Sequence, residues 1–170
     1  MPTKVIILSG SMGCGKTTVL GEASDVLSIR NIAHACVDLD AIQTALLSET
    51  VAADLFQRNL AAIYANFVSA GISRLLVAEA VETRSELDNL KSAMPDAEIL
   101  VCRLTAAIPT MERRLLVREP GMNQAKFVAR ACELQQVLDL TQVEDFTVMN
   151  DDRSVTDVAY EVLQRAGWLP

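Results

Sequence analysis

Apolar runs of strand length alternate along the chain with longer segments whose apolar residues recur at helical spacing. The runs are KVIILS (4–9), IAHACVDL (32–39), SRLLVAE (73–79), AEILVCRL (97–104) and DFTVMN (145–150). Such alternation predicts a parallel sheet covered by helices on both faces. Between the runs, TTVLGEASDVLSIR and LFQRNLAAIYANFVSA have helical period. TRSELDNLKSA opens with Thr83 and Glu86 in the spacing of a capping box, a pattern that satisfies the unpaired amides of a helix start. AAIPTMERRLLVRE continues as a helix until Pro120 and Gly121 interrupt it, and QAKFVARACELQQVLDL leads on to the fifth run. SVTDVAYEVLQRAGW closes the chain as an amphipathic helix with Gly167 just past its end. The expected architecture is therefore α/β, a five-stranded parallel sheet flanked by helices in three layers. No repeat, linker or low-complexity tract divides residues 1–170, so one domain is expected.

The first apolar run passes directly into LSGSMGCGKTT, in which Gly10, Gly15, Lys16 and Thr17 satisfy GxxxxGK[ST]. This is a P-loop pattern at the junction of a strand and a helix. Glycines let the backbone amides turn inward around phosphate oxygens, and the helix N-terminus adds partial positive charge. Gly10, Ser11, Met12, Gly13, Cys14 and Gly15 would form the cradle, with Lys16 at the β- and γ-phosphates, Thr17 holding Mg²⁺ and Thr18 near the α-phosphate. A glycine turn that binds nothing would account for the glycines, but not for a lysine followed by a hydroxyl at that offset. The dinucleotide fingerprint GxGxxG fails, because counting from Gly13 it needs glycine where Thr18 stands. The DxxG and NKxD patterns of GTPase switches are missing as well.

The second run ends in VDLDA, which sets Asp38 and Asp40 two residues apart. On an extended chain they share one side, at the sheet edge where open α/β folds bind ligands. One carboxylate could accept the proton of an attacking hydroxyl while the other orients metal-bound water. The plainer alternative is a solvated strand end with Asp40 capping the next helix. Arg114 and Arg118, four apart in ERRLLVRE, share a helix face ahead of the Pro120–Gly121 break.

Taken together, the P-loop, VDLDA, LLVAEAVETR and ERRLLVRE resemble the small P-loop kinases of metabolites. That group has the nucleoside-monophosphate-kinase fold and includes shikimate kinase, gluconate kinase and chloramphenicol phosphotransferase. The resemblance covers nearly the whole chain. It implies a P-loop NTPase fold, ATP and Mg²⁺ as cofactors, and transfer of the γ-phosphate to a hydroxyl of a small molecule. It also implies that Asp38 or Asp40 handles the acceptor hydroxyl, and that Glu79 matches the acidic position at the end of strand three, read equally as a metal-ordering group with Thr17 and Asp38 or as a plain charge at the mouth of a strand. Arg114 and Arg118 would belong to a short lid of about residues 114–126, and Asn150 in MNDDRS would lie beside the adenine. The chain lacks the glycine triplet after strand three of shikimate kinase, the DGxPR of adenylate kinases and the histidine after the lid arginine of gluconate kinase. The acceptor is therefore left open between a metabolite and an antibiotic. A nucleotide or nucleoside kinase is the alternative enzyme, and a non-catalytic ATP-binding regulator the alternative of another class.

Composition narrows these readings. Hydrophobic residues are 51% of the 170 and charged residues 22%, too apolar for disorder. No apolar run approaches the ~18 residues of a membrane span. A net charge of −7 argues against a nucleic-acid partner, which needs a basic surface. One lysine before VIIL does not make a secretory leader, so a cytoplasmic protein is expected. Cys14, Cys36, Cys102 and Cys132 are scattered, with no zinc spacing and no expected disulfide. His34, Tyr64, Phe56, Phe67, Trp168, Met12 and Met122 are each expected to serve packing before chemistry, and Cys14 to be a small filler in the loop. Glu82, Arg84 and Asp88 are placed on the rim where an acceptor would sit.

Overall fold

The computed structural model describes residues 2–42, 48–118 and 121–170. Their strands are β1 (Lys4–Ser9), β2 (Ala35–Asp38), β3 (Arg74–Ala78), β4 (Glu98–Thr105) and β5 (Phe146–Met149). The helices are α1 (Lys16–Ile29), α2 (Leu39–Ile42), α3 (Glu49–Ser69), α4 (Arg84–Ala93), α5 (Ile108–Arg118), α6 (Gln124–Thr141) and α7 (Val155–Arg165). The sheet is parallel throughout, in the order β2-β3-β1-β4-β5. Each apolar run thus contains a strand, and the chain is α/β with one five-stranded parallel sheet, as the alternation predicts.

Side-chain alternation divides the core between the two faces. Ile6 and Leu8 of β1 join Leu76, Cys102, Leu104 and Val148 under Val19, Ala23 and Leu27 of α1 and Val158, Val162 and Leu163 of α7. Val5 and Ile7 face the other way, with Leu75, Val77 and Val101, against Leu60 and Tyr64 of α3 and Leu87 and Leu90 of α4. A central parallel strand buried on both sides has to be apolar at successive positions, which is why β1 reads as VIIL. Tyr64 and Trp168 are buried, as expected of packing residues, and Phe67 lies against the core.

Local chemistry sets the helix boundaries. Thr83 and Glu86 form the reciprocal capping box of α4. Ser154 caps α7 by accepting the Asp157 amide at 3.0 Å, and Gly167 follows with φ +69°. The second apolar run departs from expectation, since only Ala35–Asp38 is extended and Leu39–Ile42 coils into a helical turn. The cause is Asp38, whose Oδ1 accepts the Asp40 amide at 3.1 Å and so starts a helix in place of continuing the strand. Asp38, not Asp40, is the capping residue. At the other end of this run, His34 Nδ1 donates to Ile32 O at 2.8 Å while Nε2 lies 2.9 Å from Ser24 Oγ, so the imidazole is satisfied at both nitrogens. Of the expected lid break, Gly121 is exposed between α5 and α6, and Pro120 and Glu119 lie outside the described residues. Among the described residues, no helix is long and apolar enough to cross a membrane.

Candidate active site

Register brings the candidate residues to one edge of the sheet. Leu8 of β1 and Asp38 of β2 both pair with Ala78 of β3, so the loop after β1, the end of β2 and Glu79 emerge at the same level. Glu79 is held there by its amide, which donates to Leu8 O at 3.1 Å, and the Val81 amide donates to Ser9 Oγ at 3.0 Å. The chain visits β2 and β3 on one side of β1 before crossing to β4 and β5 on the other, and such folds open a crevice outside the carboxyl ends of their strands.

The loop from Gly10 to Gly15 is shaped by positions that accept no side chain. Gly10 has φ +139°, and a Cβ there would collide with the carbonyl oxygen of Leu104. Gly15 has φ +103° and supports the Asn150 amide where its own Cβ would be. Gly15 precedes α1 without capping it through a side chain, so the first amides of that helix remain as donors for an anion. Lys16 is 8% exposed, and its ammonium donates to Gly10 O at 2.9 Å across the loop. Thr17 Oγ1 donates to Asp38 Oδ2 at 2.7 Å, bringing two hard oxygen ligands together at the start of the helix.

The remaining loop residues face inward. Ser11 is buried and its hydroxyl donates to Ala131 O of α6 at 2.7 Å, while Cys14 is buried in the core. Burial pushes the Cys14 thiol up from its ordinary range, and the Lys16 charge only partly opposes this. Thr18 is exposed on the first turn of α1.

Arg114 and Asn150 brace the loop from behind. Asn150 Nδ2 donates to Cys14 O at 2.7 Å. Arg114 donates to Gly13 O at 3.3 Å, Cys14 O at 3.4 Å and Asn150 O at 2.9 Å. Arg118, one turn further along α5, is exposed, as is Arg113. The two arginines of one helix face thus differ in setting: Arg114 is bound to loop carbonyls and Arg118 lies at the surface.

A cavity of about 650 Å³ opens beside Lys16 and is lined by Met12, Asp40, Glu79, Ala80, Glu82 and Glu86. α3 contributes Ala52, Ala53, Phe56 and Gln57, α4 contributes Asn89 and Leu90, and α6 contributes Arg130 and Leu134. Asp40 belongs to the cavity wall, whereas Asp38 is turned to Thr17. Phe56, expected to pack, and Met12, expected in the phosphate cradle, both line this space. Glu82 is in the wall, while Arg84 and Asp88 are not among its lining residues. Arg130 and Gln57 carried no motif in the sequence. The only trace was their helical spacing, Arg130 lying one turn before Leu134 and Gln57 beside Phe56. Among the described residues, no three His, Cys, Asp or Glu side chains converge as a metal site.

No protein-family model matches the sequence, and no curated protein matches it. Solved structures do share the fold. APS kinase from Mycobacterium tuberculosis, in complex with AMPPNP and APS, superposes with a TM-score of 0.69 at 19% identity, covering 96% of this chain and 96% of that one. A gluconokinase from Sinorhizobium meliloti gives 0.64 at 16% identity, over 98% of this chain and 92% of its own. Shikimate kinase from Acinetobacter baumannii, in complex with shikimate, gives 0.59 at 17% identity, over 97% and 92%. The fold is the one these three kinases share.

Proposed function

We propose that the protein is an ATP- and Mg²⁺-dependent phosphotransferase that moves the γ-phosphate to a hydroxyl of a small molecule, within a single domain that has a short lid at about residues 114–126. The observation that carries this reading is the junction of the Gly10–Gly15 loop, the Lys16 ammonium and the Thr17–Asp38 pair beside a 650 Å³ cavity. The fold shared with APS kinase, gluconokinase and shikimate kinase supports it.

The donor set suits Mg²⁺. This ion favours hard oxygen ligands, keeps several waters, and is usually held by one or two carboxylates together with nucleotide phosphates, not by an all-protein cage. Thr17 and Asp38 would hold it, with Glu79 ordering its water. The ion would supply positive charge that offsets the charge developing on the phosphates.

The chain's own groups divide the remaining work. Lys16 exchanges the Gly10 carbonyl for β- and γ-phosphate oxygens. Asp40, in the cavity wall, accepts the proton of the acceptor hydroxyl as its oxygen bonds to the γ-phosphorus. The bond from that phosphorus to the β,γ-bridging oxygen breaks, and ADP leaves with the electron pair. Arg118 stabilises the charge spread over the phosphoryl group, and Arg114 and Asn150 keep the loop in shape. The test is ADP release by purified protein with ATP·Mg²⁺ across sugars, cyclitols, amino sugars, nucleosides, nucleotides and antibiotics. Transfer that Lys16→Ala abolishes is expected. ATP binding without transfer to any acceptor would favour a regulatory role, and wild-type binding and turnover in Lys16→Ala would refute the P-loop assignment.

A further inference from the structure

The cavity beside the phosphate loop has an uneven charge balance. Four carboxylates line it, Asp40, Glu79, Glu82 and Glu86, and among the described residues the lining cations are Lys16 and Arg130. Lys16 belongs to the phosphate loop. Arg130 is already engaged, with Nη2 at 2.5 Å from Glu82 Oε1 and Nη1 at 3.8 Å from Glu133 Oε2.

The uncharged part of the wall is amphipathic. Met12, Phe56 and Leu134 present apolar surface. Gln57 Nε2 donates to Asn89 O at 2.8 Å, which fixes the amide orientation and leaves Oε1 as an acceptor with no hydrogen-bond partner among the described residues. A buried acceptor in that state favours a donor group on whatever fills the space. An anionic acceptor would meet repulsion from carboxylates and, among the described residues, a guanidinium that Glu82 has neutralised and the Lys16 ammonium that serves the loop. A cationic one would gain from the same field, which is strengthened in a recess with apolar walls.

Building on the phosphotransferase reading, we infer that the acceptor is an aminated, hydroxylated molecule with an apolar face, and that the Arg130–Glu82 pair keeps the cavity closed to carboxylate- and phosphate-bearing molecules. Nucleotides are among those refused. Glu82 is a specificity residue in this scheme because it withdraws the cavity's own cation from use.

Matched probes that differ only in charge test this: the phenyl glycosides of glucosamine, glucose and glucuronic acid, titrated into the intact protein by calorimetry with and without a non-hydrolysable ATP analogue. The glucosaminide is expected to bind ~10-fold or more tightly than the glucuronide, with the gap narrowing as salt is raised. Glu82→Gln, which releases Arg130, is expected to raise glucuronide affinity and shrink the gap. A glucuronide that binds the wild type as tightly as the glucosaminide, an order unmoved by Glu82→Gln, or no binding by any of the three overturns the inference. ATP·Mg²⁺ titration of the same samples reports separately on the phosphotransferase reading. The glycoside order without nucleotide decides the charge question even if ATP fails to bind.

Discussion

Thr17 and Asp38 meet at the carboxyl edge of the sheet, hydroxyl to carboxylate at 2.7 Å, while Asp40, two residues on, belongs to the cavity wall. The short helix begun by Asp38 separates two carboxylates that an extended chain would have kept side by side.

That separation predicts different losses from the two aspartates. Asp40→Asn is expected to lower turnover by ~10² to 10⁴ with ATP affinity unchanged, as for a missing general base. Asp38→Asn and Thr17→Ala should keep metal-free ATP binding and lose the gain that Mg²⁺ adds. Calorimetry with and without Mg²⁺, paired with turnover on an identified acceptor, separates the cases. Wild-type turnover in both aspartate variants would remove them from the mechanism.

On α5, Arg114→Ala takes a charged donor from three carbonyl oxygens behind the loop. Hydrogen bonds of this kind are each worth ~1.5–3 kcal/mol. The variant should therefore melt earlier and bind ATP more weakly. Arg118→Ala should leave ATP affinity intact while lowering turnover, by up to ~10³ if it meets the transferring phosphoryl group. Arg113→Ala, exposed on another face, is the control. Equal small effects at all three would make α5 ordinary surface.

Burial raises the thiols of Cys14 and Cys102 above the ordinary value of 9.0, desolvation being the leading cause for each. A thiol whose folded pKa is raised holds its proton longer in the native state than in the unfolded chain. Its contribution is fully present below pH 9 and is lost as pH climbs through the native value. Denaturation midpoints should fall between pH 8 and 10.5, and less so in Cys102→Ala. At pH 8, iodoacetamide should label exposed Cys36 first and leave Cys14 untouched until the protein unfolds. Labelling of Cys14 at the rate of Cys36 would contradict its burial.

Arg103 of β4 is 4% exposed and reaches Asp139 at 2.5 Å and Glu144 at 3.4 Å. Removing one side of a buried pair costs ~3–5 kcal/mol. Glu144→Ala should destabilise the protein more than Asp139→Ala, since the Asp139 side chain is 60% exposed and that of Glu144 14%. Urea midpoints check this, and the reverse ranking would show that exposure does not govern the pair.

The strands were legible because a parallel sheet buried on both faces writes itself as apolar runs, and Thr83 with Glu86 was legible because a cap is a local bond. The glycine-shaped turn from Gly10 to Gly15 was legible for the same reason. Helical spacing placed Arg114 and Arg118 on one face, but not what that face meets, and Arg114 lies against carbonyls of a loop a hundred residues earlier. Arg130 and Gln57 could not be singled out, because their importance comes from α6 and α3 closing over one cavity. The turn after Asp38 broke the period-two argument, since a carboxylate that accepts a nearby amide overrides strand alternation.

The position of β1 matters while the chain is still being made. It precedes the other described strands along the chain and is the centre of the sheet, with Lys4 paired to Arg74 on one side and Glu98 on the other. When GSMGCGKTT emerges, β3 and β4, the strands that flank β1, are still to be made. The loop acquires walls only when β3 and β4 have emerged, and its last support only with Asn150, which arrives after the fifth strand. Non-local pairing of this kind delays folding until the distant partner exists. On stalled ribosomes, ATP should therefore protect the chain from protease only after residue 150 has cleared the exit tunnel.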